Sequence, residues 1–157
     1  MMMDTEIDTR QSVTGSVVVG DIRALNPMQF VSVSLFRDWF DGPAGRDRVS
    51  DFFESALGPA RGQAATENWA GFVTALVDHA RRPVMRHGAD CRCVGADEAV
   101  VAHILTAAVT ADREDAMLLL SLLVPGEVLL VLIQYAERAG RDIWQISRQI
   151  NAARKLH

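Results

Sequence analysis

The chain has 157 residues, of which 49% are hydrophobic and 23% charged, with a formal net charge of −4. That is the length of one domain, with enough apolar residue to bury roughly two-thirds of the unfolded surface, which excludes a disordered chain. The mildly acidic balance provides no global electrostatic footprint for nucleic acid, and two cysteines are too few for a disulfide framework.

Residues 1–25 mix acids, Ser, Thr and Gly and read as a flexible N-terminal arm, with "SVVVG" (16–20) as one short strand at most. Asn26-Pro27 is a helix start, with Asn as the cap and Pro in the first helical position. Met28, Val31, Leu35, Phe36 and Trp39 then line one helical face up to about Phe40. "DGPAG" (41–45) breaks it, and Val49, Phe52, Phe53, Ala56 and Leu57 define a second amphipathic helix. "GPARGQ" (58–63) reads as a loop. A third helix carries Trp69, Phe72, Val73, Leu76, Val77 and Ala80 and ends at Arg82-Pro83. A cysteine-bearing loop follows, over about 83–96. The fourth helix is expected to start at Asp97 as its cap, with Val100, Val101, Ile104, Leu105 and Ala108 inward. "TADRED" (110–115) restarts the chain for a fifth helix that runs to about Val124. The sixth, about 127–139, is apolar nearly all round and is expected at the bundle centre, so that Leu130→Asp would bury an unpaired charge. Gly140 reads as its stop, and a last helix over 141–153 buries Ile143, Ile146 and Ile150.

The fold class is therefore all-α: a compact bundle of six to seven short helices over residues 26–157, a single domain after the arm. "AMLLLSLLVPGEVLLVLIQYA" from Ala116 is greasy, but Pro125, Gly126 and Glu127 cut it into pieces too short to span a bilayer of ~30 Å. No basic start followed by an apolar run opens the chain, which gives a cytoplasmic reading. Of the 16 basic residues only Lys155 is lysine, a bias that reads as a GC-rich bacterial coding sequence.

"HGADCRCVGADEA" (87–99) holds both cysteines. His87, Cys91, Cys93 and His103 read H-x3-C-x-C-x9-H, and thiolates with imidazoles suit a tetrahedral structural zinc site. Packing is the competing reading, with two small apolar cysteines anchoring a loop and histidines at the surface. A thiol-reactive reading is the third, since Arg86 and Arg92 flank the cysteines and positive charge favours a thiolate. The one-residue gap makes a direct Cys91–Cys93 bridge a strained one. His79, at the edge of the third helix's apolar face, reads as a half-buried packing residue.

No acid–base pair stands out. Asp97, Glu98, Asp112, Glu114 and Asp115 all sit at helix starts, where compensation of the helix dipole accounts for them. No serine lies in a nucleophile elbow. Near the end, "QYAERAGRDIWQISRQI" (134–150) resembles part of a helix-turn-helix unit, through Ala136, Gly140 and Ile146. Arg141 and Gln149 depart from its apolar positions. The resemblance implies a DNA-binding regulator using residues 134–155, with Arg141, Arg148, Arg154 and Lys155 meeting phosphates or bases. The leading expectation is instead a helical-bundle protein that acts by binding a protein partner or as a regulator rather than by catalysis. The dense apolar stretch 116–135 favours a homodimer, and no membrane role is expected.

Overall fold

Gln29 N–H donates to the side chain of Asn26 at 2.9 Å, and Gln29 Oε1 accepts from Asn26 N–H at 3.2 Å. This capping box starts helix α1 (Pro27–Trp39) in the structure, a computed structural model that describes residues 14–110 and 112–156. Met28, Val31, Leu35 and Phe36 are buried on its inner face, as their spacing predicts. Arg37 is buried beside them, which the apolar pattern does not announce.

Two expected loops are helix. Pro43 and Pro59 each lie in the first turn of a helix, where a missing N–H leaves no bond unmade. "DGPAG" therefore leads straight into α2 (Gly42–Leu57), and "GPARGQ" supplies the first turns of α3 (Pro59–His79). The reversal between them falls on Gly58 alone, at φ +84°, a left-handed conformation that glycine adopts without strain. His79 ends α3 exposed rather than half-buried, with Nδ1 2.9 Å from the Ala75 carbonyl oxygen.

Helix α4 (Ala96–Val109) begins after Gly95, so Gly95 and not Asp97 is its cap. Asp112 caps α5 (Arg113–Ser121) by accepting from Asp115 N–H at 3.3 Å. A 3-10 turn over Gly126–Val128 then leads into α6 (Leu129–Lys155), 27 residues long.

The expected sixth and seventh helices are thus one. Gly140 is not a stop. A Cβ there would lie 3.0 Å from the Leu105 carbonyl oxygen and 2.8 Å from Val109 Cγ1, so the glycine lets α6 cross close to α4. The helix continues because Ile143 and Ile146 carry its buried face onward. The start of α6 differs too. Leu132 and Ile133 are buried, whereas Leu130 is 63% exposed, so it is not a core residue and a charge there meets water.

The N-terminal segment is joined to the domain from residue 14 onward. Strand β1 (Val18–Asp21) pairs antiparallel with β2 (Cys93–Gly95), matching Val18 with Gly95, Gly20 with Val94 and Asp21 with Cys93. A short strand was expected at 16–20; it lies at Val18–Asp21 and anchors residues that were read as an arm. The rest of that arm, residues 1–13, lies outside the described residues.

Helices α4 and α6 form the middle of the bundle. Helix α4 packs on α1, α5 and α6, and α6 packs on α3 and α1 as well. One core fills the space between them, centred on Phe36, Phe53, Trp69, Phe72, Leu105 and Ile133. Among the described residues no helix is long and apolar enough to cross a membrane.

Candidate functional site

The loop between α3 and α4 has few large apolar residues, so packing alone would hold it poorly. Two carboxylates in the first turn of α4 hold it instead. Glu98 stands three residues after the cap, where a glutamate reaches back to the cap N–H. Glu98 Oε2 accepts from Gly95 N–H at 2.9 Å, and Oε1 accepts from His87 N–H at 2.9 Å. Arg37, reaching across from α1, donates Nε to Oε1 at 2.7 Å and Nη2 to Oε2 at 2.9 Å. The same guanidinium donates to the carbonyl oxygens of Cys91 (2.6 Å) and Cys93 (2.5 Å). Glu98 accepts four hydrogen bonds and Arg37 donates four, so a pair whose side chains are 0% and 1% exposed is well satisfied.

The electrostatics follow from this. Burial pushes the Glu98 carboxyl up. The Arg37 hydrogen bonds and the Gly95 and His87 N–H groups outweigh it, and the carboxyl ends below its ordinary value. The Glu98 hydrogen bonds in turn hold Arg37 above the ordinary arginine value.

Asp97 clamps the other arm of the loop. Arg82 donates to its two oxygens at 2.6 and 2.9 Å, and Met85 N–H donates at 2.8 Å. The N-terminal segment closes over the top. Ala96 N–H donates to the Val17 carbonyl (2.9 Å), Ile22 N–H to the Arg92 carbonyl (2.7 Å), and His87 Nε2 lies 3.0 Å from the Ser16 carbonyl oxygen.

The geometry gives the zinc reading no support. Among the described residues no group of three or more His, Cys, Asp or Glu side chains is placed to hold a metal ion. His103 is exposed on α4, and the Arg37 cation already supplies the order that a metal was expected to supply. Three of the four expected residues do meet. Cys91 Sγ lies 3.9 Å from His87 Nδ1 and accepts from Cys93 N–H at 3.4 Å. Both thiols are free and half-buried. Hydrogen bonding to Cys91, then the charge of Cys91 and burial, push the Cys93 thiol above its ordinary value.

No protein-family model, curated protein or solved structure matches the chain. Function must be read from its own chemistry.

The residues expected to meet DNA lie on α6. Arg141, Arg148, Arg154 and Lys155 are all exposed there. They share one uninterrupted helix, so the turn between two helices that the resemblance implied is absent. Asp97, Glu98 and Arg37 went unrecognised as a site. The available signals were a Glu three residues after a Gly cap, and Val33 four residues before Arg37, which widens the buried stripe of α1 to include the arginine.

Proposed function

We propose that this chain acts by binding a protein partner, and that its partner at the α5–α6 corner is a second copy of itself. The observation that carries this is the exposure of four aliphatic side chains around the Pro125 turn: Leu118 (66%), Leu122 (62%), Leu130 (63%) and Val131 (55%). They lie in the most apolar stretch of the sequence, where Glu127 is the one charge between Ala116 and Ala136. An aliphatic surface with almost no charge selects another of the same kind.

The rim of this surface is charged. Glu114 is exposed one turn before Leu118 on α5, and Arg138 is exposed two turns after Val131 on α6. Exposed charges of both signs thus border the apolar centre, as a polar rim does. A stable dimer buries about 800 Å² per protomer, so the four side chains would form its centre, with these polar residues at the edge. The setting we propose is a bacterial cytoplasm, supported by the arginine bias and by a cysteine content too low for a disulfide framework.

Sedimentation velocity tests the reading. The wild-type chain should sediment as a dimer at micromolar concentration, and the double variant Leu118→Glu/Leu130→Glu as a monomer with an unchanged circular dichroism spectrum. A wild-type chain that stays monomeric at high concentration would overturn it.

A further inference from the structure

Beyond self-association, the cysteine loop carries chemistry of its own. We propose that Cys91 and Cys93 form a centre for thiol–disulfide exchange, with Cys91 as the attacking sulfur, His87 Nδ1 as its proton acceptor and Cys93 as the resolving thiol. The substrate class is a solvent-exposed disulfide.

The argument starts from a hydrogen bond on the far side of the imidazole. His87 Nε2 lies 3.0 Å from the Ser16 carbonyl oxygen. A carbonyl oxygen only accepts, so Nε2 carries the proton. The other nitrogen of a neutral ring then presents its lone pair. That nitrogen, Nδ1, faces Cys91 Sγ at 3.9 Å. The ring is thereby set in the tautomer that takes a proton from the thiol and does not offer one to it.

Two further groups fix the geometry around Cys91 Sγ. Cys93 N–H donates to Cys91 Sγ at 3.4 Å. The Arg37 guanidinium lies beneath the loop, on the Cys91 and Cys93 carbonyl oxygens, and fixes the backbone that carries both sulfurs. A half-exposed thiol beside a proton-accepting imidazole is the arrangement in which thiols react. The raised Cys93 thiol complements the arrangement, since it keeps its proton while Cys91 attacks.

The exchange balances. His87 takes the Cys91 proton, and the thiolate attacks one sulfur of the substrate disulfide. A mixed disulfide forms, and the first substrate thiolate leaves and collects the proton. Cys93 then loses its proton and attacks Cys91 Sγ, forming the Cys91–Cys93 bond and releasing the second substrate thiol. The protein gives up two electrons and two protons, and the substrate gains them. Because a single residue separates the cysteines, the product bond is strained and is readily returned to another dithiol. The centre therefore exchanges disulfides instead of storing one.

The test uses the full, reduced chain and glutathione disulfide, followed by intact mass and free-thiol count. The wild type should lose both thiols and end with an internal Cys91–Cys93 bond. Cys93→Ser should stop at one stable glutathione adduct on Cys91. Cys91→Ser should form its adduct at least about tenfold more slowly, because its remaining thiol lacks both the imidazole and the N–H donor. His87→Ala in the Cys93→Ser background should slow adduct formation while the circular dichroism spectrum is unchanged. The proposal is overturned if the wild type keeps both thiols under these conditions. Cys91→Ser reacting as fast as Cys93→Ser would overturn it equally.

Discussion

Arg37 on α1 and Glu98 on α4 form a two-pronged ion pair, at 2.7 and 2.9 Å, with both side chains shut off from water. Removing one partner leaves the other charge buried and alone, which typically costs about 3–5 kcal/mol. Arg37→Met and Glu98→Leu should each lower the melting temperature strongly. The double variant should be more stable than the sum of the two losses predicts, because it leaves no orphaned charge. Additive losses in this double-mutant cycle would mean that the pair is not coupled.

The pair also sets a pH dependence. The folded-state pKa of Glu98 lies below the ordinary value of 4.5. A depressed carboxyl contributes stability that is fully present above the ordinary value and is lost as pH falls through the folded value. The stability gap between wild type and Glu98→Gln should therefore be widest near neutrality and shrink in acid below the ordinary glutamate range. A gap that grows on acidification would contradict the assignment. Chemical denaturation at a series of pH values measures it.

At the start of α6, two leucines two residues apart should respond very differently. Leu130 is 63% exposed and Leu132 is 1% exposed. Leu130→Asp should change monomer stability by no more than about 0.5 kcal/mol, the usual range for a surface site, and weaken self-association. Leu132→Asp should unfold the chain or bring it close to unfolding, since it buries an unpaired carboxylate. Equal melting temperatures for the two variants would refute the orientation of α6.

Gly140 provides a test of the crossing between α4 and α6. A side chain there meets the Leu105 carbonyl oxygen and Val109 Cγ1. Gly140→Leu should cost about 1–3 kcal/mol or more by overpacking, even though leucine is the better helix former. A stabilised variant would show that the two helices are not in close contact.

The helices that packing dictates were legible in the sequence. The inner face of α1 follows from its periodicity, and its start follows from Asn26 and Pro27. The errors fell where one residue type has two physical uses. Pro43 and Pro59 break a helix from within but suit its first turn, so two helix starts read as loops. Gly140 can end a helix or let two helices approach, and only the facing Leu105 backbone decides which. Leu130 looked central because its neighbours are apolar all round, yet its side chain is 63% exposed among the described residues. Cys91, Cys93 and His87 stood out by residue type. The Arg37–Glu98 pair beneath them did not, because its partners are 61 residues apart and each has an ordinary local explanation.

The central claim is that this buried ion pair holds the cysteine loop. Amide hydrogen exchange at His87 and Gly95, whose N–H groups bond to Glu98, tests it most directly. Both amides should be protected in the wild-type chain and stay protected in excess chelator. In Glu98→Gln they should exchange much faster, at a temperature where core amides on α3 and α6 remain protected. Unchanged protection in Glu98→Gln, or protection lost from the wild type on chelation, would contradict the account.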